Sequence, residues 1–337
     1  MKNIVITCAF SFCVLYSFGQ SQKEEKMKHM MDSIKAKYLD GLAWKNPLMR
    51  QAGISTEVFA PGDIKSDLYG NSFFKSKFQT VRTNAYFSVP IVHIKKNIFS
   101  AGFAVSHQTM QLYNVTNYEP SLQVPKTDVH NTLLSTSLTY TRVDSLFHRS
   151  VVYSVSASGL MNPVTAQYRF GLTGLMTVTV IYTKSSTLSL GLLALLDPSA
   201  PLPLIPFISY YHKFKVPGLE FFLDPSRIAL RKELTPRSSI SLANNIGGNL
   251  SLFKYEITTL PGKQAYTTLE MKSGLIYERL LTKKMVFSLS AGVSSTFTSK
   301  VLEANKYSDP FIKNKQSMVP YVKAGISFLP FWKGIIH

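Results

Sequence analysis

Ser239-Ile240-Ser241-Leu242-Ala243-Asn244-Asn245-Ile246-Gly247-Gly248-Asn249-Leu250-Ser251-Leu252 changes side-chain character with a period of two. Ile240, Leu242, Ile246, Leu250 and Leu252 fall on one side, and Ser239, Ser241, Ala243, Asn245, Gly247, Asn249 and Ser251 on the other. Successive strand residues point to opposite faces, so this stretch predicts a strand with one apolar and one small polar face. Many such strands behind an export signal point to a transmembrane β-barrel.

The same period recurs on both sides of that stretch. Val81, Thr83, Ala85, Phe87 and Val89 share one face, with Arg82, Asn84, Tyr86 and Ser88 on the other. Phe99 to Val105, Leu134 to Tyr140, Val151 to Ala157, Tyr168 to Val180 and Leu188 to Ala194 repeat the theme. Between Asp197 and Arg237 the pattern blurs, because Pro198, Pro201, Pro203 and Pro206 cannot donate to a ladder. Short strands are expected there over Phe207–Phe214, Leu219–Leu223 and Arg227–Lys232. Alternation sharpens again over Leu269 to Tyr277, Phe287 to Val293 and Val322 to Phe328. The count is about twelve strands, and single-chain barrels carry an even number. Gly70-Asn71, Asp144-Ser145, Lys184-Ser185-Ser186 and Pro261-Gly262 are turn-like breaks. Asn114 to Asn131 and Glu303 to Gln316 are longer polar segments that predict extracellular loops.

The N-terminus resembles a secretory signal: Lys2 precedes a mostly apolar run from Ile4 to Phe18, and Ser17-Phe18-Gly19 offers a cleavage site before Gln20. Both cysteines, Cys8 and Cys13, lie inside residues 1–19, so the mature chain is expected to use no disulfide, thiol nucleophile or thiolate metal site. Residues 20–50 are set apart as a periplasmic leader. Met27, Met30, Met31, Ile34 and Tyr38 recur there at three- and four-residue steps, which fits a short amphipathic helix. Residues 51–330 form the barrel and 331–337 a C-terminal extension.

No apolar run beyond the signal approaches the roughly 20 residues of a membrane helix. A closed barrel is then the remaining way to cross a bilayer, since unpaired strand edges are not tolerated in lipid. The net charge of +18 would fit nucleic acid in a cytosolic chain. Behind an export signal it fits anionic headgroups or anionic solutes instead, so no nucleic acid is expected. The basic pairs Lys95-Lys96, Arg231-Lys232 and Lys283-Lys284 read as solvated turns.

A secreted sandwich also alternates, but its polar face meets bulk water and carries many Lys and Glu. Here that face is mostly Ser, Gly, Asn and Thr, which suits side chains converging in a lumen. Tyr182, Phe214, Tyr255 and Tyr277 sit toward strand ends, as an aromatic girdle requires. Occasional charges interrupt the polar face, and Arg169, Glu270, Lys272, Glu278 and Lys323 are the candidate lumen-facing charges. In a small barrel such charges pair and plug the interior, while in a wider one they tune a path.

The closing strand Lys323-Ala324-Gly325-Ile326-Ser327-Phe328 is similar to the polar-x-Gly-x-x-aromatic signal that barrel assembly machinery reads. Leu219-Glu220-Phe221-Phe222-Leu223-Asp224-Pro225-Ser226-Arg227 looks like a recurring strand–turn of the same group. On these segments the chain resembles the uncharacterised outer-membrane β-barrel family of Bacteroidota-type Gram-negative bacteria. The resemblance implies a fold, an outer-membrane location and two partners, the outer-membrane lipids and the assembly machinery; it implies no substrate.

Catalytic signatures are absent: there is no Gly-x-Ser-x-Gly, no His-Glu-x-x-His and no phosphate-binding Gly-x-x-x-x-Gly-Lys. Ser106 and His107 are adjacent, so on a strand they face opposite sides and cannot form a dyad. Glu270 and Glu278 stand eight residues apart, about 26 Å along a strand, too far for joint acid–base work. No cofactor, metal or catalytic residue is expected. The reading is a non-enzymatic small pore or solute-uptake barrel for an anionic or apolar small solute. A plugged structural or surface-interaction barrel is the alternative, and an outer-membrane lipid-modifying enzyme ranks third.

Overall fold

The computed structural model describes residues 30, 33–34, 36–122, 128–196, 203–253, 260, 262–304 and 309–332. The signal segment lies outside the described residues, as do Met27, Met31 and Tyr255. The chain divides into two units between Arg50 and Gln51. In the first, residues 36–45 are helical, as are Met30, Ser33 and Ile34. A 3-10 turn over Pro47–Met49 follows, capped by the Asn46 side chain, which accepts from the Leu48 amide.

The second unit is all strand: β1 (Ala52–Leu68), β2 (Asn71–Ile94), β3 (Asn97–Asn117), β4 (Asp128–Leu146), β5 (Arg149–Asn162), β6 (Gln167–Tyr182) and β7 (Ser186–Leu196), then β8 (Leu204–Lys213), β9 (Leu219–Asp224), β10 (Arg227–Thr235), β11 (Ser238–Phe253), β12 (Gln264–Leu280), β13 (Met285–Glu303), β14 (Ile312–Gln316) and β15 (Val319–Phe328). Consecutive strands from β1 to β14 pair antiparallel, β15 pairs with β13 beside β14, and β1 closes on both β14 and β15. β14 and β15 occupy one place between β13 and β1, so the ring closes with fourteen strands, not about twelve. The count came out low because β1 hides its alternation behind Pro61-Gly62 and a run of charges. A bulge between Phe59 and Gly62 there swaps which face each parity supplies.

Turns at the end holding the strand termini Ala52 and Phe328 are two to five residues long, and connections at the other end reach ten residues. Tyr69 and Gly70 form a two-residue turn with both φ positive, the geometry that matches strand twist. Phe147 and His148 do the same, so the β4–β5 turn lies beyond Asp144-Ser145, which stay paired with Val151 and Ser150. The two long polar segments shrink to connections over 118–127 and 304–311, their flanks having joined β3, β4 and β14. Backbone pairing wins there because an unpaired strand end leaves its amides unsatisfied.

Outward residues form an apolar band, with Phe103, Leu138, Val155, Leu242, Leu275 and Val322 all exposed. Gly274 and Gly292 face each other across β12 and β13 so closely that a Cβ on Gly274 would meet the Ala291 carbonyl oxygen at 2.2 Å. The wall does not stay cylindrical. Leu252, which the alternation puts on the same apolar side as Leu242, is fully buried against Leu133, Ala265 and Leu302. Leu133 belongs to β4, seven places round the ring from β11. The ends of β11 to β13 therefore bend across the barrel, and what began as their outer face packs on the opposite inner wall.

Candidate functional site

A ring of fourteen strands is wider than the eight that wall side chains alone can fill. Two layers occupy this one. Toward the long-loop end, Phe59, Phe73, Phe78, Tyr266, Phe311 and Tyr321 belong to one buried apolar cluster. The bent β11 tip is fastened beside it, where the Leu252 carbonyl oxygen accepts from Asn131 Nδ2 at 2.6 Å and from Asn162 Nδ2.

Below lies a charged layer built from inward positions of six strands. Arg82 on β2 donates from Nη1 and Nη2 to both oxygens of Glu270 on β12, at 2.6 and 2.7 Å. Its Nε donates to Gln108 Oε1 on β3 at 3.1 Å, and Asn249 Nδ2 on β11 donates to the same oxygen at 2.7 Å. Thr268 Oγ1 adds a bond to Glu270 at 2.8 Å. Glu57 on β1 pairs with Lys272 and, at 3.0 Å, with Lys323 on β15. The Arg82 guanidinium lies 4.9 Å from the Phe59 ring centroid, which joins the two layers. Bidentate Arg–carboxylate geometry in a dry interior is strong and directional, so this layer fixes the distance between facing walls.

Of the candidate charges, the structure brings Glu270, Lys272 and Lys323 into this layer. Arg169 is buried elsewhere, opposite Leu160 near the start of β6. Glu278 is buried eight residues below Glu270, opposite Ser239 and Ser288. Sequence reading missed Glu57, Gln108 and Asn249 as members. Arg82 was missed too, although the alternation had put it on the polar face of β2, where it is the one charge. Arg231 departs from the solvated-turn reading of its Arg-Lys pair. It lies inside on β10, donating to Glu220 at 3.2 Å, and Tyr211 donates to the other oxygen of that carboxylate at 2.9 Å.

Chemically the layer is a lock of paired ions. On the outer wall His107 bonds Thr132 Oγ1 at 2.8 Å and Thr109 Oγ1, with Ser106 on the opposite face. Among the described residues no group of three or more His, Cys, Asp or Glu is placed to hold a metal.

No protein-family model and no curated protein matches the chain. Solved structures with similar architecture include an outer membrane channel from Pseudomonas putida F1, at 8% identity, TM-score 0.35, covering 83% of this chain and 96% of that one. The P. putida toluene transporter TodX follows at 9% identity and TM-score 0.35, covering 86% and 92%. The transport unit of the autotransporter AIDA-I from Escherichia coli shows 12% identity and TM-score 0.32, covering 85% and 92%. Scores this low bear no weight for role, and the closed barrel rests on the chain's own strand pairing.

Proposed function

We propose that this chain is an outer-membrane barrel, without catalytic role, that takes up a small solute through a lumen held shut at rest. The observation that carries the reading is the bend of β11 to the far wall, where Leu252 meets Leu133, Asn131 and Asn162. A barrel that only displays loops needs no more than the eight strands that side chains can fill. Building fourteen and then occupying the space with the wall's own tips is the economy of a channel with a closure. The outward apolar band and the longer connections at one end support a membrane-spanning placement with that end outside. Arg82, Lys272 and Lys323 against Glu57 and Glu270 leave the layer one positive charge in excess, which supports an anionic or polar-headed solute.

The test compares the mature chain with a variant whose β11–β12 tip, residues 250–267, is replaced by Asn-Gly so that Asn249 and Thr268 stay paired, each in a planar lipid bilayer. The intact chain is expected to stay silent. The shortened one is expected to conduct in discrete steps with anion preference. Silence from a shortened variant that still folds would overturn the closed-channel reading in favour of a plugged structural barrel.

A further inference from the structure

Above the apolar band, on the outer face at the long-loop end, lysines gather across four adjacent places of the ring. Lys65 on β1 stands directly opposite Lys75 on β2 and Lys315 on β14. Lys313 on β14 stands opposite Lys300 on β13. Lys77 completes the group one step down β2, opposite Asp63, and Asp67 lies opposite Lys313. Six lysines against two aspartates leave a surplus of four positive charges on one small face. All but half-buried Lys300 are exposed, as the outward phase of each strand requires.

Like charges directly opposite each other destabilise a sheet, and three Lys–Lys pairs occur here side by side. The arrangement is self-repelling unless an anion lies over it. Its height identifies the anion. On β2 the apolar outer residues end at Val81, and Lys77 lies four residues before it in sequence, about 13 Å along the strand toward the long-loop end. Strand tilt reduces that to about 10 Å above the band. Lysine stems reach back toward apolar surface while the ammonium stays in the polar zone.

We propose that Lys65, Lys75, Lys77, Lys300, Lys313 and Lys315 form a binding platform for a phosphate-bearing lipid headgroup of the outer leaflet. The platform rests on the membrane placement given above and goes beyond it, since it names a lipid-recognition site unrelated to the lumen. A headgroup with two phosphates bridges the Lys65–Lys75–Lys315 row and the Lys300–Lys313 pair at once, relieving both repulsions.

The experiment uses the mature chain folded in zwitterionic detergent, with folding read from heat-modifiable migration. Binding of diphosphoryl lipid A and of its phosphate-stripped form is measured by native mass spectrometry, with inorganic phosphate as a competitor. The folded chain is expected to hold the phosphorylated form about tenfold or more tighter than the stripped one. K65Q/K75Q/K315Q is expected to erase that preference, and so is K65Q/K77Q/K313Q. K95Q/K184Q/K283Q, which removes the same charge at the short-turn end, is expected to keep it. Equal binding of both lipids by the folded chain, or a preference surviving in both platform variants, would overturn the platform. Displacement by millimolar inorganic phosphate would overturn the lipid assignment in favour of a free anion. A chain that never folds in detergent would refute the membrane placement itself, an outcome distinct from a folded barrel indifferent to phosphate.

Discussion

Arg82 and Glu270 are each almost fully enclosed, and each is the other's main counter-charge. Removing one partner of such a pair costs far more than the pair contributes, because the survivor stays buried and charged. Glu270→Gln is therefore expected to lower unfolding stability in detergent by about 3–5 kcal/mol, measured by urea titration. Arg82→Met combined with Glu270→Leu is expected to recover most of that loss, since apolar replacement removes both desolvation penalties. An unchanged midpoint for the single variant would mean that water reaches the layer. Leu242 and Leu252 give a second contrast, sharing one phase of one strand but meeting different surroundings. Leu242→Arg is expected to cost about 2–4 kcal/mol in a bilayer and little in a detergent that lets the side chain reach water. Leu252→Ala is expected to cost about 2–5 kcal/mol in both, because the cavity it leaves is inside the protein. Equal medium dependence for the two would show that the β11 tip lies flat in the wall.

At the scale of the element, alternation is a local signal, and it survives wherever a strand has an exposed outer face on one side and the lumen on the other. β11, β13 and β15 announce themselves for that reason. The bend of the β11 tip does not, because Leu250 and Leu252 continue the same period while their surroundings change from an exposed outer face to protein. Nothing in the order Asn249-Leu250-Ser251-Leu252 distinguishes the two environments. Glu57 was illegible for a related reason: its meaning depends on β1 lying beside β15, a pairing across almost the whole length of the chain. Glu270 and Lys272 were legible because a charge on a polar phase stands out within its own strand. The β12–β13 pair carries its own test. Gly274→Ala pushes a methyl into the Ala291 carbonyl, and flexible side chains cannot absorb a backbone clash. It is expected to cost about 1–3 kcal/mol or more, read as a lowered melting temperature of heat-modifiable migration. Ala at Gly247, with nothing within 4 Å of its Cβ, is the control expected to leave that temperature nearly unchanged.

For the whole molecule, ring closure depends on β1 meeting β15, and side chains reinforce the join. Gln51 Nε2 donates to the Trp332 carbonyl oxygen, and its Oε1 accepts from the amides of Phe331 and Trp332, each at 2.8 Å. Phe331 then rests against Phe87 and Phe328 at centroid separations of 6.2 Å. Gln51→Ala is expected to fray this clasp without opening the ring, visible as faster amide exchange at Phe331 and Trp332 with little change in melting temperature. Protection that is unaffected would mean that the aromatic contacts alone hold the end. The clasp places both ends of the barrel sequence side by side, within reach of a short linker. A circular permutant that joins residue 332 to residue 51 through a short linker, and opens instead at residue 123, keeps every strand neighbour it had. A closed ring of this kind reads the same from any point on its circumference.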